Sequence, residues 1–504
     1  MVGTSLGAVL DGLEATVVKV EADVSNGLPQ FAIVGLPDSA VSESKLRIRS
    51  AIKNSGLEFP SRRITVNLSP ASMRKHGAGL DLAIAIAILR AIGTIPEAVP
   101  EALGFCAELN LSGNLVPVGG FVNLALAFRR EHISSIVLSM QQHPQFIPIP
   151  DLHWHPFSSL KSVVHFLSGK GIDELASPGE EQVPLAAFFE EEAAGDFADV
   201  VGLPGVKRAL TIAAAGKHHA LLVGPPGCGK TMIAERFPGI LPHLTPLAAL
   251  EVYALHQAAG IQRVPSRTPP LRIPHHTLTR AGLIGGGAPP MAGEASLAHH
   301  GVLILDELLE FPRQTLDSLR EPLVQQKIRL TRAGHSVVLP ADFILVATMN
   351  PCPCGQRGFG ECRCTDSAVQ RYWSHLSGPL LDRVDIAVSV RPEDLAQTES
   401  TIQTSEQIRT RVEHARKELE ARRLAAFTRQ PAPQGRVAPL SFEDYEDAAE
   451  HLLRRAGKGL KLSRRGIASV HRVARTIAVL DESDVVSTAH VEEALALRGT
   501  IATP

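Results

Sequence analysis

Apolar residues fall in short blocks along the chain, and the spacing inside each block separates strands from helices. Near the N-terminus, 15–24 and 31–34 read as strands, with Gly27, Leu28 and Pro29 marking the turn between them. Ser39–Asn54 is polar and compatible with a helix, and 63–68 is a further strand that runs through Ser69 and Pro70. The stretch 82–92 is apolar on every side and predicts a buried helix, with Asp81 at its start as an N-terminal cap. A Ser112-Gly113-Asn114 turn interrupts 109–115, and Gly119 and Gly120 open a helix over Phe121–Arg130. These pieces predict an α/β domain with its own core over residues 1–170.

The pattern then changes. Residues 171–196 carry Pro178-Gly179, Glu180-Glu181, Glu190-Glu191-Glu192 and Gly195 among scattered apolar positions, which is the composition of a linker. From 197 to 392, short apolar blocks at Ala220–Val223, 301–305, 343–347 and 386–390 predict strands, and 206–215 predicts a helix. Beyond 392, Ile408, Val412, Ala415 and Leu419 recur at helical spacing, followed by helical runs at 442–455, 463–480 and 488–497. The last region, 393–504, is predicted to be all-α. The fold class expected is therefore α/β and multidomain.

Composition narrows the classes. At 504 residues the chain has room for about three domains. With 44% hydrophobic and 20% charged residues and a formal net charge of −2, it is globular in composition and not globally basic, so any nucleic-acid contact has to be regional. No basic segment followed by an apolar core opens the chain, and 82–92 is broken by Arg90 and falls short of the roughly 20 residues that span a bilayer. A cytoplasmic protein without a membrane partner is expected.

The chemistry centres on Gly224, Pro225, Pro226, Gly227, Cys228, Gly229, Lys230 and Thr231, a G-x-x-x-x-G-K-T loop between an apolar block and a helical run. The glycines let backbone N–H groups turn inward around phosphate oxygens, Lys230 reaches the β- and γ-phosphates, and Thr231 ligates Mg²⁺. Cys228 is expected to be tolerated there for its size. The second signal is the apolar block ending in Asp306 and Glu307, two carboxylates delivered to the sheet edge where the phosphates sit, one for the Mg²⁺ shell and one to polarise a water. The block 343–347 leads to Asn350, whose amide would orient the attacking water; a turn-forming Asn before Pro351 is the alternative. ATP and Mg²⁺ are the cofactors implied.

Cys352, Cys354, Cys362 and Cys364 follow as C-x-C-x7-C-x-C, with glycines at 355, 358 and 360 to fold the loop back. Four thiolates at this spacing fit a structural Zn²⁺, although C-x-C is tighter than the common knuckle and unmetallated thiols remain the alternative. Between the two carboxylate signals and the phosphate loop, Gly285, Gly286 and Gly287 beside Leu283 and Ile284 predict a mobile loop with an apolar tip. Lys327, Arg329 and Arg332 lie on two strand-like runs around Ala333 and Gly334, where they could touch phosphates or serve as ordinary surface charge. Arg454, Arg455, Lys458, Lys461, Arg464 and Arg465 form the most basic stretch.

The motifs together resemble the ComM/YifB family of magnesium-chelatase-like ATPases over nearly the whole chain. The residues that carry the resemblance are Gly35-Leu36-Pro37, Val66-Asn67-Leu68-Ser69-Pro70, Gly77 with Asp81-Leu82, Leu111-Ser112-Gly113 to Gly119-Gly120, the phosphate loop, and the run from Pro274-His275-His276-Thr277 through Gly285-Gly286-Gly287 to His299-His300-Gly301. It implies a Lon-protease-like first domain. In the proteases of that fold a serine follows the glycine loop and a lysine follows the Gly-Gly pair, whereas this chain has His76-Gly77-Ala78-Gly79 and Phe121-Val122-Asn123 there, so a proteolytically inert domain is implied. It further implies an AAA+ core with a parallel sheet and a helical lid. Arg383 becomes an arginine finger acting on the neighbouring subunit of a homo-hexameric ring, Arg465 the second sensor, and Leu283, Ile284, Lys327, Arg329 and Arg332 elements of a DNA-facing pore. The function implied is a DNA-dependent ATPase driving branch migration while incoming DNA is integrated during natural transformation. A magnesium-chelatase motor subunit and a protein-remodelling ATPase are the alternatives.

Overall fold

The computed structural model describes residues 2–11, 14–71, 73, 75, 77, 79–96, 103–145, 149, 151–169, 189, 195–261, 265–287, 290–332, 335–396, 403–429, 442–460 and 462–499. The expected linker, His76, Ala78, Lys461 and the Ala333-Gly334 turn lie outside those residues, apart from 189, 195 and 196 of the linker. The chain divides into two compact units, one of residues 1–190 and 253–265, the other of 191–252 and 266–504.

The first unit opens with β1 (Val2–Asp11), β2 (Glu14–Ser25) and β3 (Gln30–Val34), followed by α1 (Ser39–Asn54), β4 (Arg63–Ser69) and α2 (Asp81–Ala91). The strands β5 (Leu103–Cys106), β6 (Glu108–Leu109) and β7 (Leu115–Val116) precede α3 (Phe121–Arg130), β8 (Ser135–Ser139), β9 (His153–Phe157) and α4 (Leu160–Leu167). Seven strands form one mixed sheet in the order β3-β4-β2-β1-β5-β8-β9. The central strand β1 carries no apolar alternation because it is built for close approach. A Cβ on Gly3 would lie 2.1 Å from the Ala87 carbonyl oxygen, and one on Gly7 would lie 2.5 Å from Leu80 Cδ2, so the two glycines let α2 sit directly on the strand. Ten of the eleven residues of α2 are buried, which is why its sequence is apolar all round.

Asp81 does not cap α2. It is the first residue inside the helix, fully buried, and its carboxylate accepts from Arg47 Nε at 2.9 Å. Burial raises its pKa and the Arg47 contact opposes the rise. Its charge is held by a partner from α1, as a buried carboxylate requires.

The second unit begins at Asp196, whose side chain caps a short turn and accepts the Ser405 amide at 2.7 Å. There follow α5 (Pro204–Gly216), β10 (Ala220–Val223), α6 (Lys230–Glu235), α7 (Pro246–Ala258), whose residues 253–258 belong to the first unit, β11 (Leu271–Arg272), α8 (Arg280–Ile284), α9 (Glu294–Leu297) and β12 (Val302–Leu305). After them come α10 (Arg313–Asp317), α11 (Pro322–Gln325), β13 (Lys327–Arg332), β14 (His335–Pro340), β15 (Ile344–Met349), α12 (Asp366–Trp373), α13 (Gly378–Leu381) and β16 (Ile386–Ser389). Five strands pair in the order β11-β12-β15-β10-β16, every neighbouring pair parallel. Parallel strands buried on both faces need continuous apolar runs, and β10, β12 and β15 are buried at every position.

Four helices complete the unit: α14 (Ser405–Arg429), α15 (Asp447–Gly459), α16 (Arg464–Leu480) and α17 (Thr488–Gly499). The C-terminal region is thus helical, and it shares one continuous core with the sheet through Ile408, Val412, Leu453, Val470, Val473 and Ile477. Asp385, at the start of β16, ties the two together: it accepts from Ser469 Oγ at 2.5 Å and Arg472 Nη2 at 2.8 Å, both on α16.

Candidate functional site

The phosphate loop leaves the C-terminal end of β10. Gly224 sits where a Cβ would lie 2.3 Å from the Val390 carbonyl oxygen, and Gly227 and Gly229 have φ of +80° and +81°, a backbone that only glycine adopts without strain. Lys230, the first residue of α6, is buried, and its ammonium donates to the carbonyls of Gly224 at 2.8 Å and Pro225 at 2.7 Å and to Asn350 Oδ1 at 3.2 Å. Burial pushes its pKa down, while Asp306 and Glu307 are among the groups that pull it back. Cys228 is buried beside it, its thiol donating to the Pro225 carbonyl at 3.0 Å, and burial raises its pKa, so it stays a thiol.

The strand order brings the carboxylates and the amide to the same edge. Because β15 lies between β10 and β12, Asn350 emerges between the loop and Asp306. Asp306 Oδ1 accepts from Thr231 Oγ1 at 3.0 Å and from Thr348 Oγ1 at 2.5 Å. Thr348 also accepts the Glu307 amide at 3.2 Å, and Glu307 holds a left-handed φ of +52°. Such a conformation disfavours a residue with a Cβ by about 1 kcal/mol and is retained where surroundings fix it. Thr348 is the residue that does so, and it was not singled out from the sequence as a functional position. Its signal was available: a polar β-branched residue two places before Asn350 in a strand that is otherwise apolar.

The donor set fits a hard divalent cation. An octahedral Mg²⁺ with bonds of about 2.05 Å places neighbouring oxygens about 2.9 Å apart, and the Thr231 hydroxyl and Asp306 carboxylate oxygens stand 3.0 Å apart.

Arg383 and Arg465 are near neighbours. Arg383, in the turn after α13, donates through Nε to the Arg320 carbonyl at 2.7 Å and through Nη1 to the Pro379 carbonyl. Burial, then the neighbouring charges of Arg465 and Arg320, lower its pKa. Arg465 is exposed near the start of α16, and Ser463, which caps that helix, also donates to Asp382 Oδ1 at 3.3 Å. Arg383 and Arg465 are therefore grouped with each other, whereas Lys230 is grouped with Asp306, Glu307 and Asn350.

Two expectations about the pore segment need correcting. Leu283 is fully buried in α8 and Ile284 partly buried, so neither is an exposed apolar tip. The glycines serve close backbone contact: a Cβ on Gly293 would lie 2.3 Å from the Gly285 amide nitrogen, and Gly286 bridges to Met291, which is itself exposed. Lys327 and Arg329 are exposed on β13 with Ile328 buried between them; the Arg332 side chain lies outside the described residues. The histidine pairs differ from each other. The His275 and His276 rings lie tilted against each other with centroids 4.0 Å apart, while His299, His300 and Glu251 come together with atoms within 4.8 Å. His299 Nδ1 accepts the Asp342 amide at 3.1 Å, which places the ring proton on Nε2, and burial lowers its pKa to about 4. His300 pairs with Glu251 at 3.3 Å and with Asp342 at 3.7 Å, so the trio is tied into a polar network around Asp342.

The four cysteines converge. Cys352, Cys354 and Cys362 sulfurs lie 3.4, 3.7 and 3.6 Å apart, and all four lie within 4.8 Å of one another. A tetrahedron with Zn–S bonds of about 2.3 Å has edges of about 3.8 Å, so the sulfurs fit that group. The Arg357 amide donates to Cys352 Sγ at 3.4 Å, and amides of Gln356 and Arg363 draw the Cys354 thiol below its ordinary range.

Comparison with known proteins now places this arrangement. Family models described as magnesium chelatase, subunit ChlI, match residues 20–142 and 196–398, and a model of the ChlI C-terminal region matches 402–498. The competence protein ComM of Haemophilus influenzae is 36% identical across 97% of this chain and 96% of its own length. The chain belongs to the ComM/YifB family of magnesium-chelatase-like AAA+ proteins. Within that family, YifB of Escherichia coli is 38% identical over 97% of this chain and 95% of its own, and Rv2897c of Mycobacterium tuberculosis is 37% identical over 99% of each. A magnesium-chelatase 67 kDa subunit from Chlorobaculum parvum is 30% identical, but over only 31% of this chain and 23% of its own. The resemblance to ComM/YifB proteins thus runs end to end, whereas that to this chelatase subunit is local. Among the described residues, no helix is long and apolar enough to cross a membrane.

Proposed function

We propose that this ComM/YifB protein hydrolyses ATP as a homo-hexameric ring and uses the energy to move branched DNA, in the integration of DNA during natural transformation. The observation that carries the ATPase reading is the convergence of Lys230, Thr231, Asp306, Glu307 and Asn350 at one end of a parallel sheet. In this reading Lys230 exchanges the Gly224 and Pro225 carbonyls for the β- and γ-phosphate oxygens, and Asn350, already within hydrogen-bond distance of Lys230, orients the attacking water. Glu307 polarises that water from a backbone conformation fixed by Thr348. Thr231 and Asp306 would hold Mg²⁺, which when bound neutralises phosphate charge. Arg383 acts as an arginine finger on the nucleotide of the neighbouring subunit, and Arg465 serves as the second sensor arginine.

The DNA reading rests on the end-to-end similarity to ComM and on exposed cations. Lys327 and Arg329 lie exposed on β13, and Arg454, Arg455, Lys458, Arg464 and Arg465 are exposed on α15 and α16. Two further elements belong to the proposal. The first domain, 1–170, has a Lon-protease-like architecture without the Ser-Lys pair and guides substrate or assembly in place of proteolysis. The four cysteines hold a structural Zn²⁺.

The test measures ATP turnover by wild type and Lys230→Ala without DNA and with single strands, duplex and a four-way junction. The reading requires turnover that the mutant loses and that DNA raises. Turnover indifferent to every DNA would leave a motor for a protein or porphyrin-metal partner and remove DNA from the account.

A further inference from the structure

The four-cysteine loop touches the phosphate loop. Gly355, between the two cysteine pairs, has φ of +76°, and a Cβ there would stand 2.5 Å from Pro226 Cδ. Pro226 is the third residue of the phosphate loop, immediately before Gly227. The Gly355 amide donates to the Cys352 carbonyl at 2.9 Å, closing the turn that presents this face to Pro226. The first half of the loop is also anchored on α12: Arg357 pairs with Asp366 at 2.9 Å and Trp373 Nε1 donates to the Pro351 carbonyl at 3.0 Å. Cys352 is buried only two residues after Asn350, which holds Lys230. The knuckle therefore meets the phosphate loop through Gly355 against Pro226 and meets the ammonium through Asn350. Short irregular segments lack a ladder of their own, so what fixes their shape has to be side chains or a metal.

We infer that the four-cysteine knuckle is a positioning element for nucleotide binding: metal-bound, it holds Gly355 against Pro226 and Asn350 beside Lys230, so the phosphate loop keeps its shape only while the knuckle is closed. The inference rests on the ATPase reading above and adds a role for residues that touch no nucleotide. Loss of the metal, or oxidation of two thiols to a disulfide with both electrons passed to an added disulfide such as oxidised glutathione, opens the knuckle and weakens nucleotide binding without altering any phosphate-loop residue.

Full-length protein settles this with two variants. Gly355→Ala keeps all four cysteines and places a methyl group against Pro226. Gly358→Ala is the control, because Gly358 has the same left-handed backbone, φ +80°, with nothing within 4 Å of an added Cβ. Metal content by mass spectrometry, the thiolate absorption of cobalt-substituted protein, and the Kd of a fluorescent ATP analogue are measured for each. One zinc per chain is expected in both, with a Kd raised about tenfold or more in Gly355→Ala and little changed in Gly358→Ala. Removing zinc with a chelator should raise the wild-type Kd similarly while cobalt restores it. Equal Kd values in wild type, Gly355→Ala and zinc-free protein would overturn the coupling, and a protein that binds no zinc or cobalt would overturn the metal-held knuckle. If wild type itself binds no nucleotide, the ATPase reading fails, a result distinct from tight binding that ignores the knuckle.

Discussion

Thr348 shows how much of the site is carried by residues that touch no ligand. Its hydroxyl donates to the Asp306 carboxylate and accepts the amide of Glu307, whose backbone is left-handed. Thr348→Val preserves shape and removes both bonds. Turnover should fall roughly tenfold to a hundredfold, the usual effect of deleting an outer partner of a metal ligand, with the melting temperature little changed; ATPase assays at saturating Mg²⁺ check it. Arg383→Ala should lower turnover by about a thousandfold, the scale of an arginine finger, while leaving the Kd for nucleotide close to wild type, and mixing it with Lys230→Ala should restore part of the activity because each ring then contains intact loop-and-arginine pairs. Asp385 belongs to stability. Its carboxyl is held well below the ordinary carboxylate range, against the upward push of its own burial, by the nearby His218 and by Arg472. A depressed carboxylate stabilises the fold above its unfolded pKa and loses that contribution as pH falls. Asp385→Asn should therefore lower the melting temperature at neutral pH, by an amount equivalent to about 1–3 kcal/mol, and the gap from wild type should narrow below about pH 4.

At the level of elements, the second unit was legible because its chemistry and its burial coincide. Parallel strands buried on both faces must be apolar, and the polar residues at their ends stand out against them: Asp306 and Glu307 after β12, Asn350 after β15. The first unit was less legible. The strand β1 has no alternation to read, because Gly3 and Gly7 are there for contact with α2 and not for burial of a side chain. Gly3→Val should destabilise the first unit by about 1–3 kcal/mol through overpacking, seen as a lowered first melting transition with ATP turnover retained. Glycines misled once more at Gly285 to Gly287. A glycine run means either freedom or close approach, and local sequence does not distinguish them; here the backbone of Gly293 packs on that of Gly285, and Leu283 is core. Asp81 failed for a related reason, since its partner Arg47 is 34 residues away and no local pattern announces it.

On the scale of the whole molecule, the proposed function requires a nucleotide site completed between subunits. Arg383 and Arg465 lie near each other, and in the proposed ring Arg383 serves the neighbouring loop with its Lys230. The DNA substrate proposed for it was legible only through similarity, because a net charge of −2 hides the exposed cations of α15 and α16. The measurement that tests the central claim most directly follows a mobile four-way junction by gel while wild type, Glu307→Gln and Lys230→Ala are given ATP and Mg²⁺. The account predicts that wild type converts the junction to duplex products in an ATP-dependent manner, that Glu307→Gln binds ATP and the junction but leaves it unmoved, and that Lys230→Ala does neither efficiently. Junctions untouched by a wild-type protein that hydrolyses ATP normally would contradict it.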